Sequence, residues 1–382
     1  MILVINSGSS SLKFRLYSSS LKELANGLVE RIGLDAPFLE YRIGSGEKRH
    51  GAMPAVPDHK AALAAVFAAL KRKKIDTAAI RAVGHRVVHG GEEFVVPTVV
   101  ADGVLTRLET YSRLAPLHNP PNLAGIRSCL ELLPRAKNVA VFDTSFYRTL
   151  GPEAFVYSLP LELYLKHKIR KYGFHGISHQ YVTREAAKIL KKPYSKLRLV
   201  SCHIGSGASV TAVKNGRATD TSMGFTPLEG VTMSTRCGDI DAAIPLYLMR
   251  ELKMTEQEVD DLMNKKSGML GLTGFKDMRD VLARTGWKVD GVQPVAPKDA
   301  DERKWCRIAV DVFCYDVARY IGQFAALMGG ADAVIFTAGV GERNAFLRER
   351  IMDLVKLPGK PKVLVVPTNE ELMIAKETKA AL

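Results

Sequence analysis

The sequence lacks any apolar run long enough to cross a membrane. The longest candidate, residues 308–328, carries Asp311, Asp316 and Arg319, whereas a spanning helix needs roughly 20 predominantly apolar residues. A secretory signal is also missing, because the apolar residues 2–5 run at once into Asn6, without a basic region or a small-residue cleavage site. These two absences predict a cytoplasmic protein with no membrane partner.

Cysteine pairs and the common metal and nucleotide motifs are absent as well. The five cysteines form no Cys-x-x-Cys pair, which predicts reduced thiols and neither a disulfide framework nor a zinc site. His175 and His179 are four residues apart, but Gly176 interrupts the regular helix that two zinc ligands would need. The phosphate loop Gly-x-x-x-x-Gly-Lys-Ser/Thr is missing, so that class of nucleotide hydrolase is not supported.

Positive charge is abundant but dispersed. The chain has 54 lysines and arginines against 40 aspartates and glutamates, a formal net charge of +14. The basic clusters at residues 71–74, 166–171 and 191–192 are short, and no aromatic-interleaved RNA-binding signature accompanies them. The charge therefore predicts small anionic substrates and no nucleic-acid partner.

Length and hydrophobic periodicity predict two domains built from strands and helices. The 382 residues exceed the roughly 100–200 residues of a usual domain. Apolar or alternating runs predict strands at 2–5, 12–17 and 139–142. Helical spacing and end signals predict helices at 61–70 after an Asp58 cap, from 120 to 133, and at 305–328 before Gly329.

A short internal repeat relates two of the apolar runs. Residues 2–9 align with residues 199–206, and in both an apolar strand runs into a Gly/Ser turn and then an alternating strand. Residues 333–341 read as a third unit of strand, glycine turn and helix. Unless the match is due to chance, it predicts two copies of one unit, each presenting a phosphate-facing turn to a cleft between them.

Several of these turns carry residues suited to phosphate chemistry. Glycine lets backbone N–H groups approach phosphate oxygens, so the turn at residues 6–13 is either an anion site or a plain hairpin. Arg86 and Arg236 are either surface ion-pair partners or two guanidinium groups that grip a transferring phosphoryl group. Six histidines are predicted to lie in Gly- or Pro-punctuated turns, which favours functional roles for some of them: His85, His89, His118, His175, His179 and His203.

Together the motifs resemble those of the acetate kinase (acetokinase) family, in the superfamily of actin, hexokinase and the Hsp70 ATPase domain. The matching segments cover essentially the whole chain: NSGSSSLKF (6–14), GHRVVHGG (84–91), LHNPPN (117–122), FDT (142–144), YGFHGISH (172–179), DTSMGFTPLEG (220–230), TAGVGE (337–342) and TNEEL (368–372). The resemblance implies reversible in-line transfer of the γ-phosphoryl group of ATP to acetate, giving acetyl phosphate and ADP.

The fold implied by the resemblance is α/β: a two-lobed, duplicated actin-like ATPase (ribonuclease H-like) fold with mixed sheets flanked by helices and an interlobe cleft. Its N-terminal lobe would comprise residues 1–145 and 370–382 and hold the metal, phosphate and acceptor side. Its C-terminal lobe would comprise residues 146–369 and hold the nucleotide. A homodimer, with its interface on the C-terminal lobe, is also implied.

The resemblance further implies residue roles. Asn6 and Glu370 are the expected ligands of Mg²⁺ or Mn²⁺, a hard cation that bridges nucleotide phosphates. The expected catalytic residues are Arg86, Arg236, Asp143, His175 and His118, and the expected phosphate contacts are Ser9, Ser11 and Lys13. Acetate is ionised at neutral pH and needs no general base, so Asp143 is predicted to orient the metal or Arg86 rather than to accept a proton.

Substrate-binding residues carry over in the same way. The expected ATP/ADP contacts are His203, Ile204, Gly205, Ser206, Gly207, Asp277, Met278, Arg279, Gly339, Val340, Gly341, Glu342 and Arg343. The expected acceptor pocket consists of Arg86, Val88, Leu117, Phe174 and Pro227. A valine at position 88 favours a two-carbon acid, although one methylene is worth only about 1–3 kcal/mol of discrimination.

Three alternatives remain open from the sequence. The nearest is the same chemistry on propionate or butyrate. A sugar kinase or actin-like ATPase on the same fold would lack the segments around Arg86 and His175. A module that only binds polyanions through its positive charge would show a steep dependence of binding on salt.

Overall fold

The computed structural model describes residues 1–116 and 118–382. Its strands, in chain order, are β1 (Ile2–Ser7), β2 (Ser11–Tyr17), β3 (Glu23–Glu30), β4 (Phe38–Ile43), β5 (Arg49–Ala52), β6 (Ala82–Val87), β7 (Thr98–Val99), β8 (Lys137–Phe142), β9 (Arg198–Ile204), β10 (Ala208–Lys214), β11 (Arg217–Thr221), β12 (Ala333–Thr337) and β13 (Lys362–Val365).

The helices, in chain order, are α1 (His59–Arg72), α2 (Val104–Thr110), α3 (Asn119–Leu132), α4 (Pro152–Phe155), α5 (Leu161–His167), α6 (Gly176–Leu190), α7 (Ala243–Glu251), α8 (Glu256–Lys265), α9 (Gly268–Thr273), α10 (Met278–Arg284), α11 (Ala300–Met328), α12 (Ala338–Arg343), α13 (Ala345–Leu354) and α14 (Glu370–Ala380). Short 3₁₀ turns lie at Thr77–Ala79, Tyr111–Leu114, Asp143–Thr149 and Tyr194–Lys196. In the part of the chain described, no helix is both long and apolar enough to cross a membrane.

The chain divides into two compact units, Met1–Arg148 with Asn369–Leu382, and Thr149–Thr368. The first unit contains an eight-stranded mixed sheet in the order β5-β4-β3-β2-β1-β6-β8-β7. Strands β1 to β5 form an antiparallel meander, while β1, β6 and β8 are parallel. Parallel neighbours need crossover connections, which α1 and α3 provide.

Helices cover both faces of the central strands of the first sheet. Leu3 and Ile5 of β1 belong to a buried cluster with Leu63 and Val66 of α1. On the other face α14 packs against β6, where Gly84 is needed because a Cβ there would collide with α14. Because both faces are covered, β1 carries four consecutive apolar residues (2–5) and β8 another four (139–142), rather than an alternating pattern.

The second unit contains a five-stranded sheet in the order β11-β10-β9-β12-β13. Strand β9 pairs antiparallel with β10 and parallel with β12, which repeats the pairing of β1 with β2 and β6. The topology thus agrees with the internal repeat expected from the sequence. Helices α6, α11 and α12 pack against β9.

Most of the elements predicted from periodicity are confirmed. Strands β1, β2 and β8 and helices α1 and α3 lie where they were expected, and Asp58 accepts a hydrogen bond from the N–H of Ala61 at 2.8 Å. Helix α11 begins five residues before the predicted start, because Asp299 caps it. The predicted glycine turn after β12 is wrong, since helix α12 begins directly at Ala338.

The prediction that six histidines lie in turns is wrong for three of them. His85 lies within β6, His203 within β9 and His179 within α6. Gly176 does not interrupt a helix but begins one, and His175 precedes it in the left-handed conformation, with φ of 57°. The glycines near these histidines lie where elements pack closely, as at Gly84, or where a helix begins, as at Gly176, and not in loops.

Candidate active site

The carboxyl ends of three neighbouring strands bring predicted site residues to one edge of the first sheet. Strands β1, β6 and β8 are parallel and adjacent. Asn6 lies near the end of β1, Arg86 near the end of β6, and Asp143 directly after β8. The carboxyl edge of parallel strands is where α/β proteins commonly bind ligands.

Arg86 and Asp143 form a buried, two-pronged ion pair. Arg86 Nη2 donates to Asp143 Oδ2 at 2.6 Å, and Arg86 Nε lies 3.2 Å from the same oxygen. The Asp143 side chain is only 1% exposed. Burial by itself would lower the pKa of Arg86, but attraction to Asp143, and then to Glu370, outweighs burial and raises that pKa. This is the contact expected if Asp143 orients Arg86.

Two buried asparagines of α3 hold this edge of the sheet. Asn122 accepts from the Val88 N–H at 3.1 Å and donates to the Ser7 carbonyl at 2.6 Å. Asn119 accepts from the His89 N–H at 3.1 Å and donates to the His89 carbonyl at 2.9 Å. Sequence analysis gave neither asparagine a role, although two amides three residues apart at a helix start were a visible signal.

The turn between β1 and β2 holds the predicted phosphate contacts. The Gly8 N–H donates to the Ser11 carbonyl at 2.8 Å, which closes the turn and leaves Ser9 exposed at its tip. Lys13 is half exposed, and its ammonium lies 3.6 Å from the buried carboxylate of Glu371, a residue that sequence analysis did not select. Because the Lys13 side chain is 53% exposed, an anion in solvent can reach it.

The two expected metal ligands, Asn6 and Glu370, both belong to the first unit. Asn6 is partly exposed, and Glu370 begins α14 close enough to Arg86 to influence its pKa. Among the described residues no group of three or more His, Cys, Asp or Glu side chains could hold a metal by itself. Mg²⁺ typically uses one or two carboxylates together with waters and substrate phosphates, so an oxygen pair such as Asn6 and Glu370 fits it.

In the second unit, the carboxyl ends of β9 and β12 border a cavity of about 820 Å³. The turn at residues 205–207 and the start of α12 form part of its wall. Of the predicted nucleotide contacts, the cavity wall includes Ile204, Gly205, Ser206, Gly207, Asp277, Met278, Arg279, Gly339, Val340 and Arg343. The volume lies within the range of cavities that hold small ligands.

Three of the predicted nucleotide contacts are not part of this cavity wall: His203, Gly341 and Glu342. Gly341 packs against β9, where a Cβ would lie 3.4 Å from that of Ile204. The Glu342 carboxylate instead accepts from the Ala338 N–H at 2.8 Å and from the Thr368 N–H at 3.1 Å. Glu342 therefore positions α12, one wall of the cavity.

Arg236 and His175 flank the glycine turn. A Cβ on Gly207 would lie 3.4 Å from His175 Nε2 and 3.6 Å from Arg236 Nη1. Arg236 Nη1 donates to the Pro227 carbonyl at 3.2 Å, and burial lowers the pKa of Arg236. In the part of the chain that the structure describes, no carboxylate pairs with Arg236. The turn is thus beside a guanidinium whose charge is not neutralised by the protein.

Behind His175 lies a buried group of polar side chains. His175 Nδ1 is 2.9 Å from Ser209 Oγ, which is also 2.8 Å from His179 Nε2. The rings of His175 and His203 stack with centroids 4.2 Å apart. His179 is among the histidines for which the sequence favours a function, but no specific role is predicted for it or for Ser209.

The predicted acceptor residues are divided between the two units. Val88 and Phe174 are buried, while Pro227 is partly exposed and its carbonyl accepts from Arg236. His118 precedes α3, and its carbonyl accepts from the Asn122 N–H. Leu117 lies outside the described residues.

Two mixed sheets, each with a strand–turn–strand unit, and a glycine-walled cavity beside an uncompensated guanidinium are features that suit an ATP-dependent phosphotransferase. The model of the acetokinase family matches residues 1–361. The acetate kinase of Thermotoga maritima is 46% identical over 409 aligned positions, covering 99% of this chain and 98% of the relative. The chain therefore belongs to the acetokinase family.

Two solved structures share the fold. The acetate kinase of Porphyromonas gingivalis matches with a TM-score of 0.87 at 37% identity, covering 100% of this chain and 99% of the other. A propionate kinase from Francisella tularensis matches with a TM-score of 0.89 at 35% identity and the same coverage. Family membership speaks against the sugar kinase, actin-like ATPase and binding-module alternatives.

Proposed function

We propose that this chain is an acetate kinase, which transfers the γ-phosphoryl group of ATP to acetate and runs the reverse reaction from acetyl phosphate and ADP. The observation that carries the proposal is the cavity beside Gly207, where Arg236 offers an unneutralised positive charge in a member of the acetokinase family. Such a charge has little structural use without an anionic ligand, since a buried unpaired guanidinium is costly.

Positive charge is the main requirement of the reaction, because carboxylate and γ-phosphate are both anions. Arg86, Arg236 and Lys13 would supply it, and the His175 N–H would donate a hydrogen bond to an oxygen of the transferring group. The carboxylate is ionised already, so no proton has to be removed from it. Asp143 then keeps the Arg86 guanidinium in one orientation through its two-pronged pair.

Asn6 and Glu370 are the residues that we assign to Mg²⁺ or Mn²⁺. When bound, the cation would neutralise phosphate charge and orient the nucleotide. Glu370 lies within electrostatic range of Arg86. ATP and ADP are substrates, and the adenosine side is assigned to the cavity of the second unit.

Acetate is the acceptor that we favour over propionate and butyrate. The curated relatives, such as that of Thermotoga maritima, are named acetate kinase, although one similar structure is of a propionate kinase. Val88 is buried, and its backbone N–H is tied to Asn122, so its side chain has little freedom to retreat from a longer acid. Discrimination by one methylene is worth about 1–3 kcal/mol.

We further propose a cytoplasmic homodimer. The metal, phosphate and acceptor roles are assigned to residues 1–145 and 370–382, and the nucleotide and the dimer interface to residues 146–369. Helix α7 supports the interface assignment, because all its residues are at least partly exposed and they include Ile244, Leu246 and Tyr247. Contiguous exposed apolar surface commonly marks an interface.

The test is acyl phosphate formation from ATP and Mg²⁺ with acetate, propionate and butyrate in parallel, with hydroxylamine trapping of the product. We expect kcat/KM to be highest for acetate and to fall about tenfold or more per added methylene. ADP release without any acyl phosphate would contradict the proposed function. A higher kcat/KM for propionate would contradict the acceptor alone.

A further inference from the structure

A chain of three buried polar side chains leads from the second sheet to His175, which is partly exposed. Ser201 Oγ is 2.8 Å from His179 Nδ1, and His179 Nε2 is 2.8 Å from Ser209 Oγ. Ser209 Oγ is in turn 2.9 Å from His175 Nδ1. Ser201, His179 and Ser209 are 0% exposed. Each link is short enough to be a full hydrogen bond.

The buried end of this chain determines the direction of every bond. Within the described part of the chain, the hydroxyl of Ser201 contacts no acceptor other than His179 Nδ1. A buried donor left without an acceptor is rarer and costlier than an unused lone pair. Ser201 therefore donates to His179 Nδ1, so the proton of the His179 ring is on Nε2.

The same reasoning continues outward to His175. His179 Nε2–H donates to Ser209, whose single proton is then donated to His175 Nδ1. Burial lowers the pKa of His179 well below its ordinary value, which agrees with a neutral ring in the middle of the chain. With its Nδ1 accepting, neutral His175 carries its proton on Nε2, the atom that lies beside Gly207.

We propose that Ser201, His179 and Ser209 are positioning residues that fix His175 as its Nε2–H tautomer. This tautomer keeps a hydrogen-bond donor facing the phosphoryl group, a role that rests on the function proposed above. If every hydrogen bond in the chain ran in the opposite direction, His175 Nε2 would carry a lone pair, and that lone pair would repel a phosphoryl oxygen. Stacking on His203 holds the plane of the His175 ring, and the bond from Ser209 holds its rotation.

The direct test is the tautomer of both rings in the wild-type protein. Two-bond ¹H–¹⁵N correlation spectra of ¹⁵N-histidine-labelled protein at about pH 8, where an ordinary imidazole is neutral, distinguish Nδ1–H from Nε2–H. We expect Nε2–H for His175 and His179, assigned by loss of signals in His175→Gln and His179→Gln. A proton on Nδ1 of either ring would overturn the proposal. Because no substrate is needed, the result is separate from that for the proposed function.

The functional test is Ser209→Ala, with Ser222→Ala as a matched control. We expect Ser209→Ala to give mixed His175 tautomers and to lower kcat by about tenfold or more, with KM for ATP changed by less than about twofold. Ser222 is another fully buried serine with one bond, from the Val210 N–H at 2.9 Å, so its loss should cost stability without altering kcat or tautomers. Unchanged kcat and tautomer in folded Ser209→Ala would overturn the proposal.

Discussion

At the scale of single residues, the two arginines assigned to the reaction differ in how the protein treats their charge. Arg86 is paired with the buried Asp143, whereas Arg236 donates to the Pro227 carbonyl and lies 3.7 Å from the Met233 sulfur. A paired guanidinium is fixed in place before substrate binds, and an unpaired one is attracted to an anion as soon as that anion arrives. The pairing of Arg86 favours a role in orienting the substrate. The unpaired charge of Arg236 favours a role in stabilising negative charge on the transferring phosphoryl group.

Replacement of Arg236 by alanine should reduce turnover far more than nucleotide binding. The guanidinium is expected to act mainly in the transition state, so kcat for acetyl phosphate formation should fall about 10³-fold, while KM for ATP changes only a few-fold. Arg350→Ala is the control, because that arginine forms a surface ion pair with Asp311. Undiminished kcat in Arg236→Ala would remove Arg236 from the mechanism.

His85 should make the protein sensitive to mild acid. Burial lowers the pKa of His85 to about 4, against a weaker opposing effect of Asn138. Between about pH 6.5 and pH 4 the unfolded chain binds a proton that the native state does not, so stability is lost as pH falls through this range. The loss from one such group is about 3 kcal/mol.

The comparison of His85→Gln with wild type in urea unfolding from pH 7 to pH 4.5 checks this effect. Glutamine can keep a hydrogen bond to Asn138 but does not titrate, so the free energy of unfolding should fall less steeply with acid. His50→Gln, at an exposed position of β5, should leave the slope unchanged. Equal slopes for His85→Gln and wild type would contradict the expectation.

At the scale of elements, one carboxylate holds the junction between β12 and α12. Glu342 Oε1 accepts from the Ala338 N–H, the Thr368 N–H and, at 3.3 Å, the Thr337 hydroxyl. Helix α12 is only six residues long and contributes Gly339, Val340 and Arg343 to the cavity wall. Such a short helix depends on external partners for its unpaired N–H groups.

Glu342→Ala should therefore loosen one wall of the nucleotide cavity. We expect a loss of about 1–3 kcal/mol in unfolding free energy, because buried donors lose their acceptor, and an increase in KM for ATP. Glu342→Gln should be near wild type, since all three bonds use one oxygen and an amide retains it. Calorimetry and ATP titration measure both effects. If Glu342→Ala and Glu342→Gln gave the same changes in stability and KM, the negative charge of Glu342 rather than its hydrogen bonds to α12 would be important.

At the scale of the whole molecule, α7 exposes large apolar side chains that a second copy of the chain could cover. Leu246 and Tyr247 are 59% and 53% exposed on a helix in which every residue is at least partly exposed. Sedimentation should show a dimer for the wild-type chain and a shift toward monomer for Leu246→Lys. Ile189→Lys, also at an exposed apolar position but on α6, should leave the mass unchanged. A wild-type monomer at micromolar concentration would contradict the interface.

Local sequence was sufficient for the elements whose signals are local. Asp58 and Gly329 mark a helix start and a helix end because caps depend on a few neighbouring residues, and both were identified. The turns at residues 6–13 and 205–207 were found for the same reason. Strand β6 was missed because Gly84, His85 and Arg86 read as a turn until β1 and β8 are placed on either side.

By itself the sequence determined the strand–turn–strand units, the main helices and the family, since these depend on short-range periodicity and contiguous motifs. Only the tertiary structure decided that Asp143 pairs with Arg86 across 57 residues and that Asn122 ties Ser7 to Val88. It also decided that Ser201 and Ser209 enclose His179. Such contacts depend on which strands lie side by side, and pairing between distant segments is fixed by packing rather than by any local pattern.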